Sequence, residues 1–313
     1  MMRIGIAGCG RITERGHIPA ALATPEVTVA ALADPDPTRL RHCRELCGRG
    51  AEEAAAFADA RSMLETEALD LLVVATPAAS HLGLAEAAAA AGVPALIEKP
   101  PAPDLECAQH IAGLAPEPLL AFNRRFLQGE ELRTAVPVQG WLELDLELRF
   151  RRDGWGSHEA HDEALLDAGI HLIDLACHLS GADPIAVRAA TISPERAAFE
   201  LELSRGRARI SCATDRGHRE AVMIRERGGK VLANWVWGGI RSRLKAAAGG
   251  PEPLLLSLQR QLAAARDRLG GTDTPIATAA DGVRAMAIVE AARQSATLDG
   301  AEVTVAPLAE MSR

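Results

Sequence analysis

The chain has 313 residues, enough for two domains with a sizeable core, and 48% of them are hydrophobic. Its formal charge is −8, with 42 acidic against 34 basic side chains, so it lacks the clustered excess of Lys and Arg that nucleic acid or an anionic membrane surface requires. The opening MMRIGIAGCG has none of the long apolar core of a signal peptide or spanning helix, and a cytoplasmic protein with small-molecule partners is expected.

In chain order, residues 3 to 122 alternate short apolar runs with longer Ala-rich stretches of helical character: RIGIAG, VTVAALAD, LDLLVVATP, VPALIEKP and PLLAF. This alternation predicts an α/β domain, residues 1–122, with a parallel sheet covered on both faces. Directly after the first run comes GCGRIT. Gly8 and Gly10 take the first two places of a dinucleotide fingerprint, Arg11 and Ile12 follow, and Thr13 stands where a third glycine is usual. Glycines there let the backbone approach a pyrophosphate while the following helix N-terminus faces its charge. The second run ends in Asp34, about 20 residues onward, where a carboxylate accepts hydrogen bonds from an adenosine ribose. An acid at that place repels the extra phosphate of NADP, so NAD is the expected cofactor; Arg39 close by keeps NADP open.

Two further strand ends carry candidates. LLVVA stops at Thr76-Pro77 and ALI at Glu98-Lys99, both at carboxyl ends, where open α/β sheets bind ligands. Ser80 has the character of an N-cap for the next helix, which makes His81 either a first-turn surface residue or a neighbour of the cofactor. The chain has three lysines, Lys99, Lys230 and Lys245, in an otherwise arginine complement. At Lys99 that choice has a chemical reading, because arginine cannot release a proton at working pH and lysine can. Pro100 and Pro101 restrict the backbone just past it. The absence of tyrosine excludes a short-chain dehydrogenase, whose chemistry depends on a Tyr-Lys pair. The six cysteines lack paired CxxC spacing, so reduced thiols are expected, and Cys43 with Cys47 has no second ligand pair to make a metal site.

From residue 123 the pattern changes. VQGWLELDLELRF alternates strictly, with Leu142, Leu144, Leu146 and Leu148 on one side and Glu143, Asp145, Glu147 and Arg149 on the other. IAVRAATI, AAFELELS, RARISCAT, EAVMIRER and KVLANWVW follow, and predict an open, mostly antiparallel sheet in an α+β domain, residues 123–313. Helices are expected near 254–269 and 281–297, then a last strand at AEVTV. The segment DEALLDAGIHLIDLACHLSG reads as one helix closed by Gly181. From residue 167 onward its titratable groups are Asp167, His171, Asp174 and His178, which share one face and suit proton transfer near neutral pH. His158 and His161 with Asp167 and His171 form an alternative, mixed His and Asp metal set; hydride chemistry with Lys99 and His171 needs none, and no metal is expected. Trp155, Trp235 and Trp237 suit a sugar-binding wall, although core or interface packing is the commoner use.

Together GIAGCGRI, VVATPAASH, EKP, FNRRF, LLDAGIHLIDL and TAADGVRAMAIVEAARQSATLDGAEV resemble, nearly end to end, the Gfo/Idh/MocA oxidoreductases, the family of glucose-fructose oxidoreductase and inositol dehydrogenase. The resemblance implies an N-terminal Rossmann dinucleotide-binding domain, a C-terminal domain for substrate binding and oligomerisation, and an active site between them. It places Thr76, Pro77, His81, Glu98 and Lys99 near the nicotinamide, and carries Asp167 and His171 over as the family's catalytic Asp-x-x-x-His. It further implies NAD(P)-dependent hydride transfer at a secondary alcohol or ketone of a sugar, sugar nucleotide or cyclitol, by a homodimer or homotetramer. Reduction of an imine or a non-sugar carbonyl, and NAD binding by a regulator without turnover, are the alternatives. One departure bears on the substrate pocket: Asp162-Glu163-Ala164 stands where family members commonly have a glycine-rich run.

Overall fold

A computed structural model describes residues 1–48, 54–127, 129–137, 139–152, 163–238 and 252–306. The chain divides into two compact units, residues 1–126 with 252–282, and residues 127–251 with 283–313.

The first unit is built on a seven-stranded sheet. Its strands are β1 (Met2–Ala7), β2 (Val27–Ala33), β3 (Ala55–Phe57), β4 (Leu71–Val74), β5 (Ala95–Ile97), β6 (Leu119–Leu120) and a late strand, β13 (Ala277–Thr278). The order is β13-β6-β5-β4-β1-β2-β3. All neighbours run parallel except β13 against β6. Strand β1 has β2 on one side and β4 on the other, so the order reverses at β1, the kind of switch point at which open sheets bind ligands. Every residue of β4 is buried, as expected for a strand covered on both faces. Between the strands lie α1 (Ile18–Ala23), α2 (Pro37–Leu46), α3 (Ala60–Thr66), α4 (His81–Ala90) and α5 (Leu105–Ala112). Asp36, Asp59 and Asp104 cap α2, α3 and α5 by accepting from backbone N–H groups of the first turn.

The division of the chain differs from a single cut after residue 122. It falls after Phe126, and residues 252–282 return to the first unit. The returning segment contains the later helix Pro253–Leu269, whose buried Leu258, Leu262 and Ala265 lie at helical spacing. Gln259 donates to Ala23 O at 2.6 Å and Arg266 to Pro25 O at 2.6 Å, which ties this helix to the end of α1. Arg125 pairs with Asp281 at 3.2 Å and donates to Pro275 O at 3.3 Å, both groups being largely buried. These attachments span more than a hundred residues of sequence and leave no trace in local composition.

The second unit begins with α6 (Gly129–Thr134) and β7 (Leu142–Arg151), followed by α7 (Ile170–Ser180), β8 (Pro184–Ser193), β9 (Arg196–Leu203), β10 (Gly206–Ala213), β11 (Asp215–Glu226) and β12 (Val231–Gly238). In chain order the helix Pro253–Leu269 is α8; α9 (Ala279–Thr297) and β14 (Val303–Thr304) complete the described chain. The sheet order is β12-β11-β7-β10-β9-β8-β14, with β7 and β10 parallel and the other pairs antiparallel, as the predicted open sheet requires. Leu142, Leu144, Leu146 and Leu148 are buried on one face, against which α7 packs. The opposite face carries ion pairs between neighbouring strands: Glu143 with Arg207 (2.8 Å), Asp145 with Arg209 (2.6 Å) and with Arg225, and Glu147 with Arg219 (2.7 Å). Trp235 and Trp237 lie half-exposed on β12, while Trp155 falls outside the described residues. All six cysteines are free thiols.

Candidate active site

The carboxyl edge of the first sheet begins with the turn after β1. Gly8 has φ +98°, and a Cβ there would lie 2.5 Å from Ala75 O, so the residue must be glycine for β1 to pass the end of β4. Gly10 is the opposite case: a Cβ built on it meets no atom within 4 Å beyond its chain neighbours. That open volume is what close approach of a pyrophosphate needs. The turn is lashed to β2 by Gly8 N–H to Ala33 O (2.8 Å) and by Cys9 N–H to Asp34 Oδ2 (2.7 Å). Asp34 Oδ1 accepts from Asp36 N–H at 2.8 Å, so each oxygen has one donor and keeps a lone pair for a ribose hydroxyl. Thr13 is fully buried and its hydroxyl donates to Gly8 O at 2.6 Å; in place of a packing glycine, it braces the turn. Arg11 and Ile12 are half-buried beside it. Arg39 is exposed and pairs with Asp36 at 3.5 Å. The residues present therefore fit a dinucleotide: an open glycine, a helix start and a carboxylate at the end of β2.

The ends of β4 and β5 hold the next group. Thr76 is half-buried and Pro77 exposed. Ser80 precedes α4 but makes no cap; its Oγ lies 2.8 Å from both Thr76 Oγ1 and Pro77 O, closing the turn on itself. His81 is neither a surface residue nor open to a ligand, because its ring has no exposed surface. Its Nε2 is 2.8 Å from Thr76 O and its Nδ1 3.2 Å from Pro101 O. Burial pushes the ring below the usual imidazole range, while the two carbonyls, one facing each ring nitrogen, act against that shift. His81 thus braces the Thr76 and Pro101 turns from beneath. Glu98 is buried, and Lys99, joined to Pro100 by a cis peptide, is half-buried.

In the second unit the helix predicted around Asp167 starts with a π-turn, Leu165–Gly169, which runs directly into α7 and is closed by Gly181 at φ +59°. Asp167 sits in the π-turn with its carboxylate mostly buried, and Arg152 Nε approaches Oδ2 at 3.7 Å. His171 is 7% exposed and Asp174 3%. The acidic and imidazole groups are therefore an interior feature, which explains the absence of Lys, Arg and Glu among them. His178 is half-buried, and its carbonyl accepts from Arg133. The departure before this helix also has a structural account. Glu163 is held by Arg293 of α9 at 2.5 Å, its carbonyl accepts from Asp167 N–H at 3.1 Å, and Ala164 is fully buried. Asp162, His158 and His161 lie outside the described residues; among those described, no cluster of three His, Cys, Asp or Glu is placed to hold a metal.

Sequence reasoning passed over His17, which contacts Glu98, and Arg152, which contacts Asp167. Neither stands in a motif, and each partner is distant in sequence.

Known proteins share this fold. Residues 2–119 match the model of the oxidoreductase family with an NAD-binding Rossmann fold, Gfo/Idh/MocA. The rhizopine catabolism protein MocA of Rhizobium meliloti is 28% identical over 95% of this chain and 96% of its own length. D-apiose dehydrogenase of Paraburkholderia graminis is 32% identical over 56% of this chain and 49% of its own, so the chain spans about half of that relative. A crystal structure of an oxidoreductase from Agrobacterium radiobacter in complex with NAD+, L-tartaric acid and magnesium has a TM-score of 0.78 at 23% identity, covering 97% of this chain and 98% of that one, which shows a common fold. With the glycine turn, Asp34 and the strand order all in place, residues 2–119 match the NAD-binding Rossmann fold of the Gfo/Idh/MocA oxidoreductases, and the chain is similar to a member of that group over nearly its whole length.

Proposed function

We propose that this protein transfers a hydride between a nicotinamide and one secondary alcohol, or the matching ketone, of a polyhydroxylated small molecule: a sugar, a sugar nucleotide or a cyclitol. The observation that carries this reading is the carboxyl edge of the first sheet, where the open turn at Gly10, the carboxylate of Asp34 and Lys99 stand at the ends of β1, β2 and β5. The relatives support the substrate class: one is named a D-apiose dehydrogenase, and the Agrobacterium oxidoreductase is in complex with NAD+, L-tartaric acid and magnesium.

Gly8, Gly10, Arg11, Ile12 and Asp34 would hold the adenosine and pyrophosphate portion; Thr76, Pro77 and Lys99 would face the nicotinamide portion, with Glu98 and His81 fixing their loops. When bound, NAD supplies the acceptor or donor of the hydride. His171 takes the hydroxyl proton during oxidation and returns it during reduction. Asp167, steadied by Arg152, orients His171 and hydrogen-bonds a neighbouring substrate hydroxyl. Lys99 presents a compact ammonium to the reacting oxygen. Asp174 steadies His171 from the helix interior. NAD is preferred to NADP because Asp34 stands where the additional phosphate would come.

We further take the protein to work in the cytoplasm, a reading supported by its six free thiols, and as a homodimer or homotetramer, as the resemblance implies. No described helix is long and apolar enough to cross a membrane. The test is steady-state turnover with NAD on a panel of sugars, sugar nucleotides and cyclitols. At least one class is expected to react, with Lys99→Met and His171→Ala each lowering kcat by about 100-fold or more. NADH binding without turnover of any alcohol, ketone or imine would overturn the reading in favour of a nucleotide sensor. Variants that stay within a few-fold of the parent would overturn the assigned roles.

A further inference from the structure

His17 ends the π-turn Thr13–His17 that follows the glycine turn, and it is 4% exposed. Its Nε2 lies 2.9 Å from Glu98 Oε1. The other carboxylate oxygen, Oε2, accepts from the backbone N–H of Lys99 at 3.2 Å, while the Glu98 N–H donates to Val74 O at 2.9 Å. A carboxylate this deeply buried is tolerated only when its oxygens have donors, and both have one here. Burial by itself would raise the Glu98 carboxyl, but the hydrogen bond and charge of His17, with Lys99, outweigh it and hold the group below the usual carboxylate range. Because the acceptor is ionised, Nε2 of His17 carries the proton. The titratable groups facing Glu98 are His17 from the π-turn, Lys99 from the same strand end and His81 from α4.

We propose that His17 is a positioning residue for Lys99: its Nε2–H holds the Glu98 carboxylate against the peptide that leads into Lys99, and so ties the orientation of Lys99 to the dinucleotide turn. The same π-turn grips that turn at its other end, through the Thr13 hydroxyl on Gly8 O. Seating of the nucleotide and aim of the lysine are thereby coupled through one carboxylate. This rests on the role proposed above for Lys99.

The discriminating pair is His17→Gln, whose side-chain amide reaches the position of Nε2 and keeps an N–H donor, and His17→Asn, which withdraws it. Both are measured as full-length protein with NAD and the reacting polyol, alongside NADH affinity by fluorescence, thermal unfolding and Lys99→Met. In His17→Asn, kcat is expected to fall about 10- to 100-fold, while the KM for NAD and NADH affinity stay within about threefold. The acid limb of its kcat profile should move to higher pH, because the Glu98 carboxyl rises once it loses the donor. His17→Gln should recover most of kcat and the parent's acid limb. Equal turnover in both variants and parent would overturn the proposal, as would equal losses in both that track a loss of cooperative unfolding. If Lys99→Met is inactive while His17→Asn is not, the proposal fails alone; if Lys99→Met matches an active parent, the role of Lys99 fails and takes this inference with it.

Discussion

Glu98 in the first unit and Asp145 in the second are both carboxylates with two donors, yet they serve opposite ends. Glu98 is 9% exposed and takes its donors from a π-turn and from its own strand end, so it fixes where two loops stand. Asp145 lies on the outer face of a sheet, where Arg209, half in solvent, and the less exposed Arg225 reach it from strands on either side. Exposed pairs of that kind contribute about 0–1 kcal/mol each, whereas stripping one partner from a buried charge costs roughly 3–5 kcal/mol. Burial, more than the number of contacts, decides whether a polar group defines a geometry or only favours a register.

Four substitutions can break or sharpen this contrast. The largest effect is expected at Gly8→Ala, where positive φ and the approach of Ala75 O leave no room; a loss of roughly 2–4 kcal/mol should appear as a lower urea midpoint. Gly10→Ala should keep stability within about 1 kcal/mol of the parent and instead weaken NADH binding, since its Cβ enters open space. Equal destabilisation by the two would remove the distinction between a braced turn and an open one. Next is Asp34→Ser, which frees the place of the NADP phosphate; the preference for NAD in kcat/KM should shrink on the order of tenfold. An unchanged ratio would move cofactor choice elsewhere. The smallest is Arg209→Ala on the outer face, with an expected loss under about 1 kcal/mol that diminishes as salt is added. A loss above roughly 2 kcal/mol there would erase the contrast between buried and exposed pairs.

Much of the fold is legible without coordinates because its signals are local. The alternation in LELDLEL reports a strand with one buried face, and Gly8 and Gly10 mark a tight turn directly after the first strand. What escaped was set by partners far along the chain. Strand β3 is AAF in an alanine-rich stretch with no β-branched residue, and its pairing with Ala31–Ala33 makes it a strand. Residues 252–282 follow the second sheet in sequence yet belong to the first unit, held there through β13 and Arg125–Asp281. His81 read as surface or cofactor neighbour because its position after Ser80 suggested a first turn; the Thr76 and Pro101 carbonyls that enclose it come from two different loops.

By itself, the amino-acid sequence determined the two-part architecture, the glycine turn after the first strand with Asp34 at the end of the second, and the helix that carries Asp167 and His171 one turn apart. Periodicity, turn chemistry and side-chain type act over a few residues and survive in one dimension. Only the tertiary structure decided that Gly8 is required while Gly10 is open, that Thr13 braces the turn, and that His17 reaches Glu98 across 81 positions of sequence. Those outcomes depend on which side chains the folded sheet brings within hydrogen-bond distance, and on how much water it leaves between them.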